Sequence, residues 1–242
     1  MTRMTPFGST RSTVQRDHAL LAPDSHIISQ LPGWTQTDGI ILISPQMGSM
    51  TRAQFVQYFA VMESGATAGP PLSGVERFLF VVEGSIKFTS EEGIHTLTTG
   101  GYVFIPANSN HTIEATEPTR LNIFEKQYSP LPNVEAPPLV VGQEQEVQQV
   151  EYLGDPDLLL TTLLPNAPSF DMAVNIMAYN PGATLPMVEV HMMEHGLLML
   201  QGQGIQRLAD EWYPVEKGDA IWMAPYCPQW FGALGKKPAV YI

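Results

Sequence analysis

Cysteine is almost absent. Cys227 is the only one among 242 residues, so no internal disulfide framework can form, and a reducing compartment fits. Basic residues are scarce as well. Twelve Lys and Arg face 24 Asp and Glu, a formal net charge of −12, which argues against a general affinity for nucleic acid or anionic membrane. Charged residues make up only 15% of the chain against 44% hydrophobic. That is enough apolar material for a core, and the chain is not disordered as a whole. No apolar run approaches the roughly 18 to 20 residues that cross a bilayer, and the N-terminal stretch lacks the apolar segment of a signal peptide. These absences lead us to expect a soluble, cytoplasmic protein with no nucleic-acid or membrane partner.

Glycine (20) and proline (21) are plentiful, a balance that favours short strands joined by turns over long helices. A length of 242 residues and a mass of 26.7 kDa allow one large all-β domain or two of about 120 residues. Strands are expected at 39–43 (GIILI), 78–82 (FLFVV), 102–105 (YVFI), 120–124 (RLNIF), 172–177 (MAVNIM) and 220–223 (AIWM), all rich in β-branched and aromatic residues. Residues 1–35 read as a polar N-terminal arm in which Leu20, Leu21, Ile27 and Ile28 suit packing on the body. Residues 131–150, with four prolines in and just before a polar run, read as a linker or crossover.

The most informative feature is an internal repeat. FLFVVEGSIKF, with Gly84, aligns with GLLMLQGQGIQ, with Gly202, at an offset of 118. The same offset places Gly100 on Gly218, Glu76 on Glu194, Phe104 on Trp222 and His111 on Gln229. Two similar all-β halves follow, at 36–130 and 151–242.

The second half carries the chemistry. Glu189 and His191 are two residues apart and leave the same face of a strand. His195 follows at a distance that a turn can return to that face, and Gln229 comes from a later strand. One carboxylate, two imidazoles and an amide oxygen can converge in a small barrel. Such a set without thiolate suits Mn²⁺ or Fe²⁺, and Ni²⁺, Co²⁺ and Zn²⁺ also fit. Two plainer readings stand beside it: His191 and His195 as an i,i+4 pair on a helix, or a hydrogen-bonded cluster without metal. Glu194 points away from the set by strand alternation, and Met187, Met192, Met193 and Met199 read as core filler and a dry wall.

The two halves resemble tandem cupin domains, whose motifs are G-x₅-H-x-H-x₃₋₄-E-x₆-G and G-x₅-P-x-G-x₂-H. Here the first motif stands as Glu189-x-His191-x₃-His195-x₆-Gly202, with carboxylate and first imidazole exchanged. The second stands as Gly218-x₅-Ala224-x-Tyr226-x₂-Gln229. With EVHMMEHGLLMLQGQG and WYPVEKGDAIWMAPYCPQWF, that exchange closely resembles the bicupin (S)-ureidoglycine aminohydrolases of purine and allantoin catabolism, over roughly residues 30–242.

The resemblance implies two double-stranded β-helix barrels and a homo-oligomer. It also implies hydrolysis of (S)-ureidoglycine to (S)-ureidoglycolate and ammonia, Mn²⁺ on Glu189, His191, His195 and Gln229, and a substrate contact from Tyr241. The family's lysine beyond that tyrosine has no matching position, because the sequence stops at Ile242, and Arg207 is a weak substitute. No general base is identifiable. Another metal-dependent cupin enzyme (a dioxygenase or isomerase) and a non-enzymatic small-molecule binder are the competing readings.

In the first half, Glu189 falls on Pro71, His191 on Ser73 and His195 on Arg77; only Gln229 meets a ligand-capable residue, His111. One ligand in four cannot hold a metal, so the first barrel is expected to be metal-free, with His111 a satisfied barrel histidine. His18, His26 and His95 sit in loop-like contexts and are given no role.

Overall fold

The computed structural model describes residues 3–5, 8–47 and 53–242. Apart from two short 3₁₀ turns its regular elements are all strands, and every strand pairing is antiparallel. Each half folds a large sheet against a small one. In the first half the large sheet runs Val140–Gln143, Gly101–Ile105, Val75–Glu83, Thr119–Gln127, Val56–Met62, Thr37–Ile43 and Ile28–Gln30. Its small sheet holds Gly93–Thr98, Ser85–Ser90, His111–Ala115 and Thr67–Ala68. In the second half the central strands of the large sheet are Asn175–Tyr179, Ala239–Tyr241, His195–Gln201 and Ala220–Met223. The facing small sheet is Glu211–Glu216, Gln203–Leu208 and Gln229–Leu234.

The apolar runs in the sequence are continuous because the large sheets are covered on both faces. Successive residues therefore serve different cores. Leu79 and Val81 point into the first barrel with Ile86, Phe88 and Ile123. Phe78 and Phe80 point out of it, into a second layer with Phe104, Leu198 and Trp222 that joins the two barrels. In the second half Leu197 and Met199 line the barrel while Leu198 faces that joint. Phe78, Phe104 and Trp222 are fully buried, each contributing roughly 2–3 kcal/mol by burial.

The repeat is visible in backbone geometry. Gly84 and Gly202 have φ of +89° and +75°, and a Cβ at either would lie 2.5 Å from a carbonyl oxygen, that of Pro118 or of Pro238. Each glycine lets a hairpin cross tightly over the last strand of its own barrel. The non-glycine pair Asn108 and Tyr226, also 118 apart, both have φ of +64°. They occupy the glycine position of the second cupin motif, which explains why that motif asks for glycine.

Several elements differ from expectation. The strand expected at 172–177 is Asn175–Tyr179, preceded by irregular chain. Val140–Gln143, within the expected linker, is a strand on the first barrel. The arm contributes strands to both halves: Ile28–Gln30 pairs with the first barrel, whereas His18–Leu21 pairs with Ala220–Met223 of the second. Leu20 is buried as expected, but Ile27 and Ile28 are exposed. His18 and His95 lie on strands rather than in loops. The arm is fastened by Arg11, whose guanidinium donates to both oxygens of the fully buried Asp219.

Candidate metal centre

Residues 183–191 form an extended segment that lies along the strand Gln229–Leu234. Leu185 N–H donates to the Phe231 carbonyl, and Glu189 and Gln229 exchange a pair of backbone hydrogen bonds of 2.9 and 3.0 Å. Tyr226 N–H then donates to the His191 carbonyl at 2.7 Å. Two loops far apart in sequence are thereby tied beside the start of the strand His195–Gln201, and the isolated helix reading of His191 and His195 is excluded.

Three of the four expected donors converge. His191 Nε2 lies 3.2 Å from His195 Nε2 and 2.8 Å from the Gln229 side-chain amide nitrogen. One imidazole lone pair cannot accept from two donors at once. The amide nitrogen and oxygen exchange by a simple flip. With Gln229 turned so that its carbonyl faces inward and both imidazoles protonated on Nδ1, two nitrogen lone pairs and one oxygen would face one another. A divalent cation satisfies that arrangement. Two imidazole nitrogens bound at about 2.1 Å and at a right angle are about 3 Å apart, close to the spacing found. Burial pushes the His195 imidazole down to about 4, helped by neighbouring His191, so it is a neutral donor at ordinary pH.

Glu189 stands apart from the imidazoles. Its carboxylate accepts a hydrogen bond of 2.8 Å from the Tyr152 hydroxyl. Its charge is also felt by the phenols of Tyr179 and Tyr241, whose hydroxyls are 2.8 Å from each other. Burial raises all three phenols, Tyr152 to about 12, so they serve as hydrogen-bond donors rather than bases. Tyr241 thus faces the interior that Glu189 also faces. Tyr152 and Tyr179 carry no motif signal; only folding brings them beside Glu189 and Tyr241.

Other sequence candidates lie elsewhere. Arg207 donates to the Ala209 carbonyl, pairs with Asp210 and stacks over Trp212, all on one hairpin and its turn. Of the four methionines only Met199 is buried; Met187, Met192 and Met193 are exposed and do not form a dry wall. Glu194 is a bridge between barrels. It accepts from the Gln54 backbone N–H at 2.8 Å and from Trp222 Nε1 at 3.2 Å.

The first barrel shows what the same positions do without a ligand set. Arg77, at the place of His195, donates through Nη1 to His111 Nε2 at 3.1 Å and through Nε to Glu125 at 2.7 Å. Its guanidinium also lies over Trp34. His111 Nδ1 is 3.0 Å from the Ser109 carbonyl, which fixes the proton on Nδ1 and leaves Nε2 as the acceptor. Burial, then Arg77, push this imidazole down to about 4. A cavity of about 300 Å³ opens beside it between Phe88, Asn108 and Leu139, but both ring nitrogens of His111 are taken.

The cupin domain family model matches residues 58–125 and 175–242. The (S)-ureidoglycine aminohydrolase of Arabidopsis thaliana is 42% identical over 97% of this chain and 77% of its own length. The protein of the same name from Escherichia coli K12 is 34% identical over 91% of this chain and 84% of its own. Among solved structures, the E. coli protein Ylba superposes with a TM-score of 0.81 at 29% identity, covering 96% of this chain and 93% of that one.

Proposed function

The chain belongs to the tandem-cupin (S)-ureidoglycine aminohydrolase family, and on that premise we propose that it hydrolyses (S)-ureidoglycine to (S)-ureidoglycolate and ammonia at a manganese centre in its second barrel. One observation carries the reading: the side-chain ends of His195 and Gln229 both lie within 3.2 Å of His191 Nε2. Glu189, which stands apart on Tyr152, would have to turn toward them to complete a nitrogen and oxygen set without thiolate, which suits Mn²⁺.

In the reaction the bond from the central carbon to the amino nitrogen breaks and a bond to water oxygen forms; the proton balance leaves with ammonia. A divalent ion held by His191, His195 and Gln229 would supply Lewis-acid charge at the substrate. The protein's own part is orientation. Tyr152 holds the Glu189 carboxylate in place. Tyr241, steadied by Tyr179, donates a hydrogen bond to the carboxylate or ureido end of the substrate. Phe231, packed against both tyrosines, keeps that side of the chamber dry. Fixing the face presented to water contributes several kcal/mol and selects one stereoisomer over spontaneous loss of ammonia. The first barrel, with Arg77 in the ion's place, supports the fold and binds no metal.

The test is ammonia release from (S)-ureidoglycine by protein reconstituted with Mn²⁺, compared with His191→Ala. The variant is expected to fall to the spontaneous background and to lose its bound manganese. Turnover equal to the parent would refute a metal-centred site.

A further inference from the structure

Among the described residues, a second cluster of metal-ligating side chains lies outside the barrel chamber. Ligand atoms of Asp17, His18 and Cys227 all lie within 4.8 Å of one another. His18 is on the arm strand that pairs with Met223, and Ala224 N–H donates to the Asp17 carbonyl at 2.9 Å. Cys227 is on the loop that continues from Met223 to Gln229. His18 and Cys227 are buried, while the Asp17 side chain is 44% exposed, so an ion has a way in from solvent.

The hydrogen-bond chain through this cluster is one positive charge short. Tyr213 gives its single proton to Glu211. The Tyr213 oxygen, 2.7 Å from His18 Nε2, must then accept from that nitrogen. In a neutral imidazole the other nitrogen, Nδ1, carries only a lone pair, yet it lies 2.9 Å from the Asp17 carboxylate. Two acceptors face each other, and a cation must lie between or beside them. It is either a proton or a metal ion. The sulfur within reach of both favours the metal ion, since nitrogen, carboxylate oxygen and thiolate together match a borderline ion. A metal on Nδ1 closes the proton count: Nε2–H donates to Tyr213, Tyr213 donates to Glu211, and the ring is oriented as a ligating histidine usually is.

We propose that Asp17, His18 and Cys227 form a second divalent-cation site, selective for a borderline ion of the Zn²⁺ or Co²⁺ type, which fastens the N-terminal arm to the loop leading into Gln229. Binding displaces the thiol proton to solvent and forms one bond each to sulfur, nitrogen and oxygen. The site is independent of the barrel centre, which has no sulfur donor.

The test uses the full chain, pre-equilibrated with Mn²⁺ and then titrated with Co²⁺. A thiolate-to-cobalt charge-transfer absorption is expected, saturating at one equivalent. It should be absent from Cys227→Ser and need about tenfold more Co²⁺ in Asp17→Asn. Because Cys227 is the only cysteine, the absorption reports this site alone, whatever the barrel centre holds. No such absorption in the parent protein, as when a proton alone occupies the cluster, would overturn the proposal. So would an Asp17→Asn variant that saturates at the same Co²⁺ concentration as the parent.

Discussion

Arg77 donates to His111 in the first barrel across 3.1 Å, and these two positions are the repeat equivalents of His195 and Gln229 in the second. The first barrel carries its positive charge covalently, on a guanidinium already paired with Glu125; in the second, on the function proposed above, a bound cation would serve the same positions. The first version of the site is thus sealed by its own side chain.

Removing the sealed charge should hurt stability and not metal content. Arg77→Met leaves Glu125 and His111 facing each other without their shared donor. We expect a loss of about 3 kcal/mol, read from the denaturant midpoint, while manganese per chain stays at one.

Tyr152→Phe removes one hydroxyl and, among the described residues, the only side-chain donor on Glu189. Manganese affinity should fall about tenfold, with stability within about 1.5 kcal/mol of the parent. Competition with a chromophoric chelator measures the first, and unchanged affinity would show that Tyr152 does not set the carboxylate's position.

Glu76 gives a pH prediction. Its repeat equivalent Glu194 accepts from the Trp222 indole, but Phe104 replaces that tryptophan in the first half, so Glu76 is fully buried with no N–H donor on either oxygen and only the Asp171 carboxylate to share a proton with. Burial, with the adjoining Asp171, pushes its carboxyl up to about 9 from an ordinary 4.5. Between those values the folded state holds a proton that the unfolded chain has lost, so stability falls as pH rises from about 4.5 to 9. Glu76→Gln should flatten that decline and exceed the parent by on the order of 2 kcal/mol at pH 8. Thermal melts across this range test it, and parallel pH profiles for the two proteins would count against it.

Tyr226 holds a left-handed backbone that an aromatic residue rarely adopts. Tyr226→Gly should match or exceed the parent's stability, because relief of strain offsets the added freedom of the unfolded chain. Tyr226→Val should lose about 1–2 kcal/mol. Equal midpoints for the two variants would contradict a strained position.

Much of this architecture is legible in the sequence because its constraints are local. Gly84 and Gly202 are fixed by carbonyls that leave no room for a Cβ, and that makes the repeat readable. The runs around Phe78 and Leu197 announce strands buried on both faces. That His191, His195 and Gln229 lie side by side is legible from type and spacing, whereas the position of Glu189 on Tyr152 is not. What escapes is non-local or irregular. The pairing of His18–Leu21 with Ala220–Met223 joins opposite ends of the sequence, and no local pattern encodes it. Met187, Met192 and Met193 look like core by composition, yet their segment has no regular alternation and leaves them exposed. Strand alternation points Glu194 away from the donors; that Gln54 and Trp222 hold it depends on how the barrels meet.

The arm strand also bears on how the chain matures. Leu20 emerges from the ribosome about 200 residues before its partner Ile221, an interval of roughly 10–40 s at ordinary elongation rates. Throughout that wait the early segment has only its short neighbour Thr13–Val14 to pair with, and the late sheet, once made, has a bare edge until the segment returns. Closure of the second barrel's large sheet therefore waits until residues 220–223 have been made, and a nascent chain stalled before residue 220 should leave the arm open to proteases however well its first barrel has formed.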